Sequence, residues 1–127
     1  MVKAVIGIIE RNKMLLMSQR SLHQSYSGYW EFPGGKIEEN ESYFAALKRE
    51  LREELGINVT EAVLFLQHTH AYPDYQVNLM VYRVTHFLHE PVSQEGQVLR
   101  WVSLADLEQL TLLAGSQFIV EKLRTVS

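Results

Sequence analysis

The sequence predicts an α/β fold, a mixed β-sheet sandwiched between helices (α/β/α), and three observations predict it. Short β-branched, apolar runs arrive in pairs, as neighbouring strands do. A long amphipathic segment separates those pairs and a second helical pattern closes the chain, so helices are at hand to cover the sheet. The chain has 127 residues, 46% hydrophobic and 21% charged, the size of one domain spanning 1–127.

Val2 to Ile9 is β-branched and apolar, and Glu10-Arg11-Asn12-Lys13 reads as a hairpin turn into a second strand, Met14 to Gln19. Residues 21–31 are polar and aromatic without period and read as a loop, the kind of segment that carries function. A helix follows from about Ser42 to Leu55, with Gly56 at the expected left-handed cap. Val59 to His70, Gln76 to Leu88 and Val98 to Val102 read as strands, with a turn at Ala71 to Tyr75. Ser103 is placed to cap a short helix through Leu110, and Ser116 to Leu123 is helical in pattern.

Composition excludes several classes. No apolar run approaches the roughly 20 residues of a spanning helix, and the amino terminus does not read as a signal peptide. Zero cysteines exclude disulfides and thiolate zinc sites. A net charge of -3 opposes direct nucleic-acid binding, so a polyanionic ligand would need metal ions. The expectation is a cytoplasmic monomer or weak homodimer acting on a small molecule.

On a helical wheel Phe44, Leu47, Leu51 and Leu55 form one apolar stripe that should face the sheet, and Glu50, Glu53 and Glu54 form a carboxylate stripe beside it. Taken alone, such a stripe is more often a solvated face. Its self-repulsion invites hard cations such as Mg²⁺ or Mn²⁺, which prefer oxygen ligands. Gly34-Gly35, just ahead of the helix, permits close backbone approach to a ligand.

Gly35, Glu41, Arg49-Glu50-Leu51, Glu53-Glu54 and Gly56-Ile57 satisfy every fixed position of G-x5-E-x7-R-E-U-x-E-E-x-G-U. In this the chain resembles the Nudix family. The resemblance implies hydrolysis of nucleoside diphosphates linked to another moiety, with Mg²⁺ (or Mn²⁺ in its place) held by Glu50, Glu53, Glu54 and the main chain at Gly34 or Gly35. It makes Glu50 and then Glu53 the candidate general base, and Glu41 and Arg49 the pair that supports the site.

Beyond the box, Arg20, Trp30 to Glu38, Tyr72-Pro73-Asp74 and Gln94 to Gln97 resemble the MutT branch, which converts nucleoside triphosphates to monophosphate and pyrophosphate. This implies 8-oxo-dGTP diphosphatase activity and nucleotide-pool sanitisation. It adds Glu95 as a further metal ligand and Arg20, with Lys36, as phosphate contacts, since a guanidinium forks onto phosphate oxygens. Phe32, Tyr72 and Tyr75 are candidates for a base slot. The Asn that 8-oxoguanine enzymes carry before the last helix is missing, leaving Ser116 or Gln117, and Tyr75 stands where the guanine enzyme has Arg. Val81-Tyr82-Arg83-Val84 is shared with the cytidine triphosphate pyrophosphohydrolases, the alternative substrate class. A non-catalytic nucleotide-binding Nudix module is an alternative of another kind, opposed by the intact glutamates. His68 and His70 share a strand face and suggest a transition-metal pair without an evident third ligand.

Overall fold

The computed structural model describes residues 1–126. Its sheet has seven strands: β1 (Val2–Arg11), β2 (Met14–Gln19), β3 (Trp30–Glu31), β4 (Gly34–Lys36), β5 (Asn58–Ala71), β6 (Gln76–Leu88) and β7 (Leu99–Ser103). Helices α1 (Tyr43–Leu55) and α2 (Ala114–Val126) flank it. The strand path runs β3-β2-β1-β6-β5, with β4 beside β1 and β7 beside β2. β1 and β6 are parallel and the other pairs antiparallel, so the sheet is mixed.

Two cores fix the layers. On one face Leu47, Leu51 and Leu55 of α1 pack with Val5, Ile9, Met80 and Val84. On the other, Ile119, Val120 and Leu123 of α2 pack with Ile8, Met17, Phe32, Leu79 and Val81. The hairpin turns on Asn12 and Lys13, at φ 53° and 64°, the paired left-handed residues that a two-residue hairpin demands. Ser42 caps α1 by accepting the Ala45 N–H at 3.1 Å, and Gly56 ends it at φ 68°.

The structure corrects three readings and adds one strand. Phe44 is exposed, and Ala46 takes its place in the buried stripe; Phe44 sits in the first turn of α1, with the Lys48 ammonium over its ring. The segment read as a loop through residue 31 ends in β3, because Ser18 and Gln19 of β2 offer Glu31 and Trp30 a ladder. Gly34–Lys36 is a strand, β4, lying against Ala4, Val5 and Ile6. The helix after Ser103 is a single 3-10 turn, Asp106–Gln109, whose Asp106 N–H is accepted by Ser103 Oγ at 3.1 Å.

β1 divides its partners in a way that makes room for a ligand. Ala4 to Ile6 pair with β4, whereas Glu10 and Arg11 pair with β2. The chain through Phe32-Pro33 crosses between them, and the Pro33 carbonyl accepts the Gly7 N–H at 2.9 Å. Among the described residues no helix is long and apolar enough to cross a membrane.

Candidate active site

At this fork a cleft of about 810 Å³ opens between β1, β4, the C-terminal half of α1 and the start of α2. Ala4, Ile6, Val77 and Leu79 give it an apolar floor, and Arg20, Glu31, Lys36, Glu50, Glu54 and Glu95 line its walls.

One end is built from carboxylates. Glu54 accepts the Gly34 N–H at 2.9 Å and has no basic partner among the described residues. Burial first, and then the negative charge of Glu50, push its carboxyl up to about 9. Burial also raises Glu50, against the opposing pull of Arg49. A Cβ on Gly35 would fall on the Glu50 carboxylate, so only glycine leaves that group its place.

Arg49 is the hub of this end. Its Nε and Nη2 donate to the two oxygens of Glu41 at 2.7 and 2.9 Å, its Nη1 to Glu50 Oε1 at 2.9 Å, and its Nη2 also to the Lys36 carbonyl at 3.0 Å. The hydrogen bonds from Arg49 hold the Glu41 carboxyl down at about 2. Glu95 arrives on a loop hung from the open end of α1, where the Leu55 carbonyl accepts the Val92 N–H and the Glu54 carbonyl accepts the Gln94 N–H, both at 2.9 Å. These are carbonyls that a helix end leaves unpaired.

The other end is aromatic. The rings of Tyr72 and Tyr75 stack 5.1 Å apart, Tyr26 leans on Tyr72 at 6.4 Å, and His70 meets Tyr72 edge-on at 4.5 Å. Phe32 and Ser116 form the buried wall, joined by the Phe32 N–H, which donates to Ser116 Oγ at 3.3 Å. Arg20 donates through Nη1 to Glu31 at 2.9 Å and through Nε to the Ser25 carbonyl at 2.7 Å. Arg20 and Glu31 both line the cleft.

Residues 1–122 match the NUDIX domain. The chain belongs to the Nudix family. An 8-oxo-dGTP diphosphatase of Proteus vulgaris is 39% identical over 89 residues, covering 70% of this chain and 80% of the relative. A CTP pyrophosphohydrolase of Escherichia coli K12 is 38% identical over 112 residues, 88% of this chain and 83% of the relative. A structure of MutT, from work on Aliivibrio salmonicida and Vibrio cholerae, aligns with a TM-score of 0.85 at 32% identity, covering 99% of this chain and 98% of that one.

Within the Nudix box, Glu50 and Glu54 face the cleft together. Glu53 does not line it; its carboxylate is 51% exposed on the flank, 3.3 Å from Arg49 Nη1. Gly34 and Gly35 bring the backbone against both inward glutamates, and Lys36 lines the cleft from the exposed end of β4. Among the described residues no three His, Cys, Asp or Glu side chains are arranged to hold an ion alone. A hard cation nevertheless suits the Glu50–Glu54 end, where a buried carboxylate lacks a counter-charge, and Mg²⁺ commonly completes its shell with water and substrate phosphate. His68 stacks on Phe118 with 3.6 Å between ring centres, a packing contact that ties α2 to β5.

Sequence reasoning did not single out Glu31, Tyr26 or His70 for the cleft. Glu31 lay within the run that resembles MutT, and Tyr26 within the loop whose aromatic content already marked it. The sequence pattern marks His70 only as a metal ligand, because its contact with Tyr72 depends on how β5 runs into the following turn.

Proposed function

We propose that this Nudix protein hydrolyses nucleoside triphosphates to monophosphate and pyrophosphate with Mg²⁺, with 8-oxo-dGTP as the preferred substrate and nucleotide-pool sanitisation in the cytoplasm as its role. Mn²⁺ substitutes for Mg²⁺ in this reading. The observation that carries it is one cleft with a buried carboxylate, Glu54, that lacks a counter-charge at one end, Arg20 on its wall, and an aromatic stack at the other. Charge at one end suits a metal-bound triphosphate, and the stacking surface at the other suits a base. The protein acts as a monomer or weak homodimer on a small molecule and does not bind nucleic acid directly.

Glu50, Glu54 and Glu95, with the main chain at Gly34 and Gly35, would hold the metal, with Glu53 as the further box ligand. When bound, the ion supplies Lewis acidity, an acidified water and a clamp on phosphate oxygens. Arg49 occupies Glu50 Oε1, which leaves Oε2 to take the proton from the water that attacks the β-phosphorus; Glu53 is the second candidate for this base. The bond to the oxygen bridging the α- and β-phosphates breaks, and the monophosphate leaves on that oxygen. Arg20 and Lys36 bind phosphate oxygens, and Glu41 orients the glutamates through Arg49. The base stacks on Tyr72 and Tyr75 against Phe32, and Ser116, which already accepts the Phe32 N–H, offers its hydroxyl hydrogen to the base edge.

A second reading, hydrolysis of CTP or dCTP, is favoured by the relative of that name, which matches over 88% of this chain. Ranking kcat/KM for 8-oxo-dGTP, dGTP, CTP and dCTP separates the two. A preference of tenfold or more for the oxidised nucleotide supports the first reading, and a cytosine preference replaces it with the second.

A further inference from the structure

Arg20 is only partly free to meet a phosphate. Its Nη1 is shared between both oxygens of Glu31, at 3.2 and 2.9 Å, its Nε is taken by the Ser25 carbonyl at 2.7 Å, and its Nη2 lies 3.5 Å from Ser25 Oγ. A guanidinium has five N–H donors, so two remain without a partner. The Arg20–Glu31 pair is largely shielded, with side chains 19% and 26% exposed, and both line the cleft. A carboxylate so placed repels an arriving polyphosphate and neutralises the cation meant to receive it. Three further cleft glutamates, Glu50, Glu54 and Glu95, need no such partner in Arg20.

Resting on the reading of the cleft as a polyphosphate site, we propose that Glu31 is a specificity-determining positioning residue: it holds Arg20 aimed into the cleft and yields it only to a ligand charged enough to exchange for a carboxylate. Triphosphate displaces Glu31, and ligands of lower charge leave the pair closed. The exchange also touches the aromatic end. Arg20 fastens the loop that carries Tyr26, through the Ser25 carbonyl and through its own carbonyl, which accepts the Gly28 N–H at 3.0 Å. Tyr26, at φ 57°, packs on Tyr72.

The test is calorimetric binding of inorganic tripolyphosphate to the metal-free protein, at low ionic strength where charge effects are least screened. Glu31→Gln keeps an oxygen for Arg20 but removes the charge, and it should bind about tenfold tighter than wild type. Adding Arg20→Gln to that variant should abolish the gain. Equal or weaker binding by Glu31→Gln overturns the exchange, as does a gain that survives without Arg20. Absence of binding in all three proteins, or binding without gain, overturns the exchange, while the metal-dependent reading of the cleft stands or falls on the substrate ranking with Mg²⁺. Should Glu31→Gln not fold, the Arg20 Nε–Hε NMR signal of the wild type decides. The proposal requires it to shift with tripolyphosphate and not with inorganic phosphate; a signal that stays put, or moves equally with both, overturns it.

Discussion

Glu54→Gln should stabilise the metal-free protein while abolishing turnover. Burial and the neighbouring Glu50 hold the Glu54 carboxyl at about 9 against an ordinary 4.5. At pH 7 the unfolded chain therefore carries it ionised and the folded chain carries it protonated. That pH lies about 2.5 above the ordinary value, and each pH unit corresponds to 1.36 kcal/mol, so folding bears a cost of about 3 kcal/mol. Gln never ionises and keeps an oxygen for the Gly34 N–H. After discounting for water entering the cleft, we expect a gain of about 2 kcal/mol, or roughly 7 °C in a domain of this size. The pH dependence has a definite sign. Because the folded value is raised, the wild type is unpenalised below about 4.5 and loses stability as pH rises to about 9, so the gap between the proteins widens across that window. Thermal unfolding in EDTA at pH 5, 7 and 8.5 measures it. Saturating Mg²⁺ should narrow or reverse the gap, since a ligand of the native state stabilises the protein that binds it. A variant less stable than wild type in EDTA, or a gap that does not change with pH, would refute the reasoning.

The paired glycines separate function from folding. Gly35→Ala places its Cβ on the movable Glu50 carboxylate and should cost roughly 100-fold in kcat with a small change in Tm, whereas Gly34→Ala meets the Val5 carbonyl of β1 and should lower Tm severely; activity and melting assays on both check this. Ser116→Ala leaves the buried Phe32 N–H without its acceptor and should cost about 1–2 kcal/mol in urea unfolding. Arg49→Lys cannot reproduce the fork onto Glu41 together with the bond to Glu50, so kcat should fall at least about tenfold with Tm little changed. The Glu41 carboxyl is held at about 2, so its ion pair with Arg49 contributes above about pH 4.5 and is lost as pH falls towards 2. Acid-unfolding curves should accordingly be steeper across that window for wild type than for Glu41→Gln.

The layers were legible because strands and helices here carry their own punctuation. Apolar runs placed β1, β2, β5 and β6, with β-branched residues in all but β2, and Gly56 marked the end of α1 where its backbone turns left-handed. β3 and β4 were not legible, since two or three residues hold no period and exist only through the ladders that β1 and β2 offer. The box residues marked a carboxylate site through the family resemblance that their spacing carries, and three-dimensional structure then divided them, turning Glu50 and Glu54 inward and leaving Glu53 on the flank. Arg20 was found from sequence, but its tie to Glu31 was not, because it depends on β3 lying beside the end of β2. Phe44 fitted the periodic stripe yet is exposed, as helical period says nothing of where the covering sheet ends.

The central claim is that the inward glutamates drive cleavage between the α- and β-phosphates. Product analysis by ³¹P NMR tests it most directly, with a nucleoside triphosphate supplied to wild type and Glu50→Gln in Mg²⁺ and in EDTA. The account predicts monophosphate and pyrophosphate from the wild type with Mg²⁺, and at least a 100-fold slower reaction from the variant or in EDTA. Diphosphate and inorganic phosphate as products, or equal turnover by Glu50→Gln, would contradict it.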